Sequence, residues 1–468
     1  MNITSIYGTI RNIALNAMGV ERDLATLMQD GDVNKAKNLF ENNDSIVAQA
    51  IKEYNPETHE VMNRPNKERK GKNPYITQKL PRSWQRYINE VELFFLLGNP
   101  IKWKLTGAEE QPNTNNDKAF AEFQTFIEDT RFNTTSRSAK RLAGAETQSA
   151  KLYHLYRDND GNPAVVVNVL AASKGYTLRP LFNQFQQLIA FGVGFLIKEG
   201  AKTVEHFDIY TNDIIYRCRK DVVGWSVQAD INHIGKIPVI FFKQPKAWDG
   251  ADERIKRDEF TDSKTADTNE YFADPIAFVS VDIVNSVPSA ETIGGLIVGA
   301  TKDSDFRYIE PPTAPEMKKE EKTVLRESIL QDTFTPDFSY QNLSGMGTLS
   351  GEALKRALIL GFMKRDNRME IYEELFDREK NLILAIMKNI THISLRKQIE
   401  DLNIKLEFSE PFHEDEQQKI NAITTAFTSG VLSLETAVKQ IGIAGDIKKE
   451  IERINAAKQA ENEDWHNI

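Results

Sequence analysis

The residue types in this sequence that support catalysis or metal binding are present, but not at working spacings. The seven histidines, His59, His154, His206, His233, His392, His413 and His466, are scattered, and none stands at metal-ligand spacing from another or from Cys218. Asp158-Asn159-Asp160-Gly161 begins like a calcium loop, but no glutamate follows at the offset that completes one, so the run reads as a turn. "GAETQSAK" lacks the second glycine-lysine unit of a phosphate loop. No Gly-x-Ser-x-Gly, His-Glu-x-x-His or Cys/His arrangement points to a nucleophile or a metalloenzyme. Catalytic residues, metal and cofactor are therefore all expected to be none.

What remains is electrostatic chemistry on two basic runs. "RPNKERKGKNPYITQKLPR", from Arg64 to Arg82, suits nucleic acid or a lipid surface, but the acidic segments flanking it favour a solvated loop. Lys355, Arg356, Lys364, Arg365 and Arg368 crowd the first half of a long helical pattern, where cations oppose the helix dipole. A solvated face and a role toward phosphates both stay open there. The net charge of -9 over 468 residues argues against gripping nucleic acid with the whole surface, though not against letting it slide past.

These residues must be carried by more than one domain, since 468 residues exceed a single core. One cysteine allows no intrachain disulfide, which fits a reducing compartment. No signal peptide is read at the N-terminus, and no apolar run approaches the roughly 18 residues that span a bilayer. Residues 1–60 read as short helices, with Asp32 and Asp44 as caps or turn residues. "SWQRYINEVELFFLLGNP" reads as a helix capped by Ser83, followed by a strand through Trp103. "NNDKAFAEFQTFIEDTRFN" is an amphipathic helix with Phe120, Phe123 and Phe126 on its core face. A hairpin turns at Asp158–Gly161, "RPLFNQFQQLIAFG" reads as a helix, and strands follow to Phe242. The first 245 residues are thus a mixed α/β unit.

Beyond that the character changes. Asp252 to Phe272 is helical in type but too polar to bury a broad face in its own core. Strand-like runs fill Asp274 to Pro312. A second polar helix begins with a Thr313/Glu316 capping pattern and Pro315, and carries a narrow apolar stripe: Met317, Val324, Leu325 and Ile329. Two such helices around a small insert fit packing beside identical copies in a ring; an isolated coiled-coil arm is the other reading. The Gly/Ser-rich run "NLSGMGTLSG" then precedes a helix capped by Ser350. If continuous to Asn389, with a bend at Gly361, it is about 60 Å long at about 1.5 Å per residue. "IKLEFSEPF" is a strand that must pair with an earlier sheet. The chain is helical again from Asp415, with a turn at "TSGVLSLET" capped by Ser433.

In order, "NEVELFFLLGNPIKWKL", "AGAETQSAKLYHLYRDNDGNP", "NHIGKIPVIFFKQP", "SGEALKRALILGFMKRDNR" and "TSGVLSLETA", with the helix–insert–helix layout, resemble the portal proteins of tailed double-stranded DNA bacteriophages. The resemblance spans roughly Ser83 to Ile441. The first 60 residues depart from it, and the first of the two polar helices is more polar than the pattern.

The resemblance implies an α+β, mostly helical protomer. Residues 1–60 are an N-terminal arm, 61–250 the α/β part of a wing, 251–273 the first stem helix, 274–313 a clip and 314–336 the second stem helix. Residues 337–349 are a tunnel loop, 350–414 the long wing helix with its returning strand, and 415–468 a crown. It further implies a ring, in this family a dodecamer, at one capsid vertex of the virion, assembled in the host bacterial cytoplasm. Double-stranded DNA would pass through its channel during packaging and ejection without sequence specificity. Implied partners are the terminase large subunit, major capsid and scaffold proteins, and head-completion, adaptor or tail proteins, with no membrane. Tyr340, Gln341, Asn342, Leu343, Gly345 and Gly347 would line the channel. Lys355, Arg356, Lys318, Lys319 and Lys322 are candidates to face DNA, and Met317, Val324, Leu325 and Ile329 to form the oligomer seam. The competing classes are another ring-forming or scaffolding protein of a phage particle and a nucleic-acid-processing enzyme.

Overall fold

The computed structural model describes residues 23–67, 75–106, 114–200, 202–273, 276–280, 295–299, 306–308, 315–339, 342, 351–412, 416–442 and 449–456. The fold is α+β, with helices packed around small, mostly antiparallel sheets. It divides into two compact units, Met1–Asp337 with Leu360–Ser409, and Phe338–Ile359 with Glu410–Ile468.

In the first unit, helix α1 (residues 23–29) leads to α2 (Val33–Lys37) and α3 (Asp44–Tyr54). Asp32 caps α2 as expected, accepting the Lys35 N–H at 3.1 Å. The cap of α3 is Asn43 instead, so Asp44 is its first helical residue. Helix α4 (Trp84–Leu97) starts after Ser83, whose side chain makes no cap bond. Strand β1 (Lys102–Leu105) follows, then α5 (Thr114–Asp129) and α6 (Phe132–Glu146). The expected single helix ends at Asp129, and α6 is a second one. Arg131, with φ 51°, turns the chain between them.

Strands β2 (Gln148–Arg157) and β3 (Pro163–Leu170) form the expected hairpin. Asp158 Oδ1 accepts the N–H groups of Asp160 and Asn162 at 3.0 and 2.8 Å, so its oxygen closes a turn. The segment read as a helix around Asn183 is a hairpin of β4 (Thr177–Phe182) and β5 (Leu188–Glu199). Its apolar spacing suits either structure. Asn183 Oδ1 decides for the turn by taking the N–H of Phe185 and of Gln187, each at 2.9 Å. Strands β6 (Lys202–Tyr210), β7 (Ile214–Lys220) and β8 (Trp225–Ile231) complete a five-stranded antiparallel meander. Strand β9 (Val239–Lys243) joins β2, giving the order β3-β2-β9.

Alternation places one face of the meander under α1 and α2, where Leu24, Met28, Val33 and Phe40 bury against Phe207 and Ile209. The opposite face, with Phe191 and Val193, packs on Leu152, Val239 and Phe241. Cys218 is buried in the first of these cores, which pushes its thiol up to about 12.

Helix α7 (Asp252–Ala273) precedes a three-stranded sheet, β10 (Ile276–Ser280), β11 (Gly295–Gly299) and β12 (Phe306–Tyr308), in the order β11-β10-β12. The β10–β11 pair is parallel and the β10–β12 pair antiparallel. Helix α8 (Pro315–Asp332) follows. The long helix is not continuous. Helix α9 (Gly351–Ala357) stops before Leu358, and α10 (Ile359–Ile386) passes into a π turn, Met387–Thr391.

The interruption falls at Leu358, and Gly361 lies within α10. A Cβ there would lie 2.3 Å from the Phe95 ring, so glycine lets α10 close against α4. Beyond α10, α11 (Arg396–Glu400) leads to β13 (Ile404–Glu407), which pairs antiparallel with β1 from Lys102↔Glu407 to Leu105↔Ile404. The largest core lies here, joining Leu93, Phe123, Phe132, Tyr372, Phe376 and Ile383.

In the second unit, α12 (Glu416–Thr428) and α13 (Leu434–Ile441) pack together. Ser433 caps α13, its Oγ accepting the Thr436 N–H at 3.2 Å, as the sequence predicts.

Candidate functional site

Helices α7 and α8 run antiparallel, because their ion pairs come in opposite order along the two chains: Arg254 with Asp332, Asp258 with Arg326, Asp262 with Lys322. Arg257 adds a pair with Glu321 at 2.6 Å. Among the described side chains, the end near Ile255 and Ile329 carries an apolar cluster. Ile255 and Ile329 meet Ile88, Ala247, Trp248 and Ala251 there.

A broad polar face of α7 is nonetheless buried, against the sequence expectation. The adjacent pairs Asp258-Glu259 and Asp262-Ser263, four residues apart, and Asp267 one turn on share a face of the helix and are all buried. The partner is the chain segment running up to α4. Asp267 accepts from Arg64 at 2.7 Å and from the Gln78 N–H at 2.7 Å. Ser263 accepts the Leu80 N–H at 3.0 Å, and Asp262 accepts from Arg82 Nε at 2.7 Å. Asp258 takes the Trp84 indole N–H at 2.9 Å. Residues 64–67 and 75–82 of the basic run therefore act as a strap. Arg64 and Arg82, together with backbone donors, satisfy carboxylates that would otherwise be stranded. Burial would raise Asp262 and Asp267, but Lys322 and Arg82 on the first, and the Gln78 N–H and Arg64 on the second, outweigh it and hold both below the usual carboxylate range.

The second cluster lies beneath α10. Glu92 of α4 is fully buried, and its Oε1 receives Lys140 Nζ at 2.6 Å, Gln244 Nε2 at 3.1 Å and Arg368 Nε at 3.2 Å. Lys364 Nζ stands 3.4 Å from Oε2 and donates to the Ala247 carbonyl at 3.1 Å. Tyr372 locks Gln244 with a 2.6 Å hydrogen bond.

One carboxylate thus faces three cations. Burial alone would raise Glu92, but Lys140, Lys364 and Arg368 bring it well below the usual range. Burial pushes Lys364 down to about 8, and the neighbouring cations add to this while Glu92 opposes it. Farther along α10, buried Glu379 meets Lys151 Nζ and the Tyr153 hydroxyl, both at 2.5 Å. Lys151 also donates to Ser136 Oγ at 2.9 Å. Two ion clusters therefore bolt α10 to α4, α6 and β2.

This divides the cations of the long helix. Lys364, Arg365 and Arg368 turn inward, whereas Lys355 and Arg356 are exposed. Of the other candidates to face DNA, Lys319 is exposed, Lys318 is half-buried, and Lys322 is engaged by Asp262. In the expected seam, Met317 and Val324 are exposed, Leu325 is half-buried, and Ile329 is taken up in this chain's own core. Asn342 is exposed, while Tyr340, Gln341, Leu343, Gly345 and Gly347 lie outside the described residues, as do Thr313 and Ser350.

Sequence reasoning missed Glu92 and Glu379. For Glu92 the available signal was an acid inside an apolar run, "VELFFLL"; Glu379 stands among charged and polar neighbours in "DREKNLILAI" and carried no such signal. Among the described residues no helix is long and apolar enough to cross a membrane, and no group of His, Cys, Asp and Glu could hold a metal.

A family model described as "Phage portal protein, SPP1 Gp6-like" matches residues 29–464. A search of curated proteins finds no match.

Proposed function

The chain belongs to the phage portal protein family, SPP1 Gp6-like, and from that premise we propose that it forms a ring, a dodecamer, whose channel carries double-stranded DNA at one vertex of the capsid. The family is a structural one and carries the chain to the virion. In this reading α7 and α8 are the stem, the β10–β12 sheet is the clip that docks terminase and head-completion proteins, and residues 337–349 are the tunnel loop. The two sheets up to residue 250, with α10, form the wing, and the α12–α13 pair belongs to the crown.

The observation that supports this best is the α7–α8 pair. Its inner face is charge-paired within one chain, while Met317 and Val324 remain 66% and 54% exposed on α8. Apolar residues left on a rigid, charge-braced helix suit packing against the same helices of a neighbouring copy. Lys319, Lys355 and Arg356, all exposed, are then the candidates to face phosphates, in keeping with a channel that touches DNA without holding it.

Negative-stain imaging of the purified chain tests the ring. Particles with a central hole are expected, and compact monomers at all concentrations would overturn it. Proline at both Gly345 and Gly347 tests the loop. The double variant is expected to assemble and to package DNA poorly, and wild-type packaging would remove residues 337–349 from the channel assignment.

A further inference from the structure

His59 follows α3 and is buried at 7% exposure. Its Nδ1 lies 2.7 Å from Glu259 Oε1, and its Nε2 lies 2.7 Å from the carbonyl oxygen of Glu53. A carbonyl and a carboxylate only accept hydrogen bonds, whereas a neutral imidazole has one N–H and one lone pair. In either neutral tautomer one of the two contacts would set lone pair against lone pair. The imidazolium alone satisfies both, and at this distance the shared proton belongs on the imidazole, the stronger base.

The same Glu259 oxygen accepts the Arg82 N–H at 2.8 Å. Glu259 is therefore the point where the end of α3, the strap and α7 are joined. The other charges at this corner are committed elsewhere. Glu53 and Asp252 are both held by Lys246, at 2.7 and 2.8 Å. Lys256 pairs with Glu253 at 2.6 Å, and the Arg82 side chain pairs with Asp262 at 2.7 Å and with Asp258 at 3.4 Å. Lys52 and Glu60 stand exposed at the edge.

We propose that His59 is carried as the imidazolium in the folded chain and is a pH-sensitive pin, fastening α3 and the strap to α7 through Glu259. Burial works against the charged ring, but Glu259 and the Glu53 carbonyl outweigh it and raise the imidazole above its ordinary value. A folded value above the unfolded one makes the pin fully effective below about pH 6.5, and its contribution is lost as pH rises through the folded value. The pin rests on contacts inside one chain and stands or falls independently of the ring.

Hydrogen exchange of the full chain, followed by mass spectrometry over residues 76–84 from pH 6 to 9 and corrected for intrinsic rates, reads the Arg82 N–H. Wild type should lose protection about tenfold per pH unit above the folded value. His59→Gln should be poorly protected throughout, with no such break. A flat corrected wild-type profile, or the same break in His59→Gln, overturns the pin. Glu259→Gln provides a second arm, since it leaves the ring beside a neutral partner and should move the break to lower pH. A break at the unchanged pH would equally refute the assignment.

Discussion

The strap on α7 and the joint beneath α10 use the same residue types to different effect. On α7 the acids are buried while most of their cations reach water: the Arg82, Lys322 and Arg326 side chains are about one-third exposed, and Arg64 is 10% exposed. Backbone N–H groups supply several of the remaining donors. In the joint both partners are dry, since Glu92 and Lys140 are each 0% exposed. Desolvation is thus mostly one-sided on α7 and nearly complete under α10, where Lys364 and Arg368 keep 7% and 16% exposure. A cation that keeps its water can lose its partner at little cost, whereas one without water cannot. The strap is a fastening that can be undone locally, and the joint is one that fails only with the whole core.

The sharpest way to break this contrast is Glu92→Gln, which leaves Lys140, Lys364 and Arg368 without a counter-charge. A loss of about 3–5 kcal/mol is expected in denaturant unfolding. Asp262→Asn on the strap should cost less, about 1–2 kcal/mol, because Arg82, Lys322 and Arg326 can turn to solvent. Equal losses for the two variants would remove the distinction.

Lys364→Met sharpens the comparison from the cationic side. With its folded value pushed down to about 8, Lys364 binds its proton less readily folded than unfolded, so its charge weighs against folding below that pH and ceases to between about pH 8 and 10.5. The variant should therefore gain about 1 kcal/mol over wild type at pH 7. Denaturation midpoints should show that advantage shrinking as pH rises toward 10, and an advantage independent of pH would contradict the cation excess. The smallest effect on chain stability belongs to Val324→Asp, within about 0.5 kcal/mol because the side chain is exposed. The same variant should shift sizing chromatography toward smaller species if α8 packs against a neighbour.

Much of the fold was legible in local chemistry. The Asp158 turn, the Ser433 cap and the need of "IKLEF" for a partner strand were each written in a few adjacent residues. The extent of α7 and of the strands from β6 to β9 was also readable. What failed was decided at a distance. The strand character of Thr177–Phe182 rests on pairing with β5, since its apolar spacing fits a helix equally well. The burial of Asp258 and Asp267 depends on a strap nearly 200 residues earlier, as the 189-residue separation of Gln78 and Asp267 illustrates. The inward turn of Lys364 and Arg368 needs Glu92, on another helix. A basic run and an acidic helix each look solvated until they are seen to satisfy one another. The residues proposed for the channel had only the glycine run and the family resemblance behind them.

The pairing of β1 with β13 bears on how the protein is made. Thr106 donates its N–H to Asn403 at 2.8 Å, across 297 residues of sequence. At a synthesis rate of about 5–20 residues per second, β1 emerges from the ribosome roughly 15–60 seconds before its partner. The residues that complete the largest core, Tyr372 to Phe408, arrive in that same late interval. A nascent chain truncated before residue 400 should therefore expose an open strand edge and an unfinished core, which is the kind of surface that chaperones and aggregation compete for.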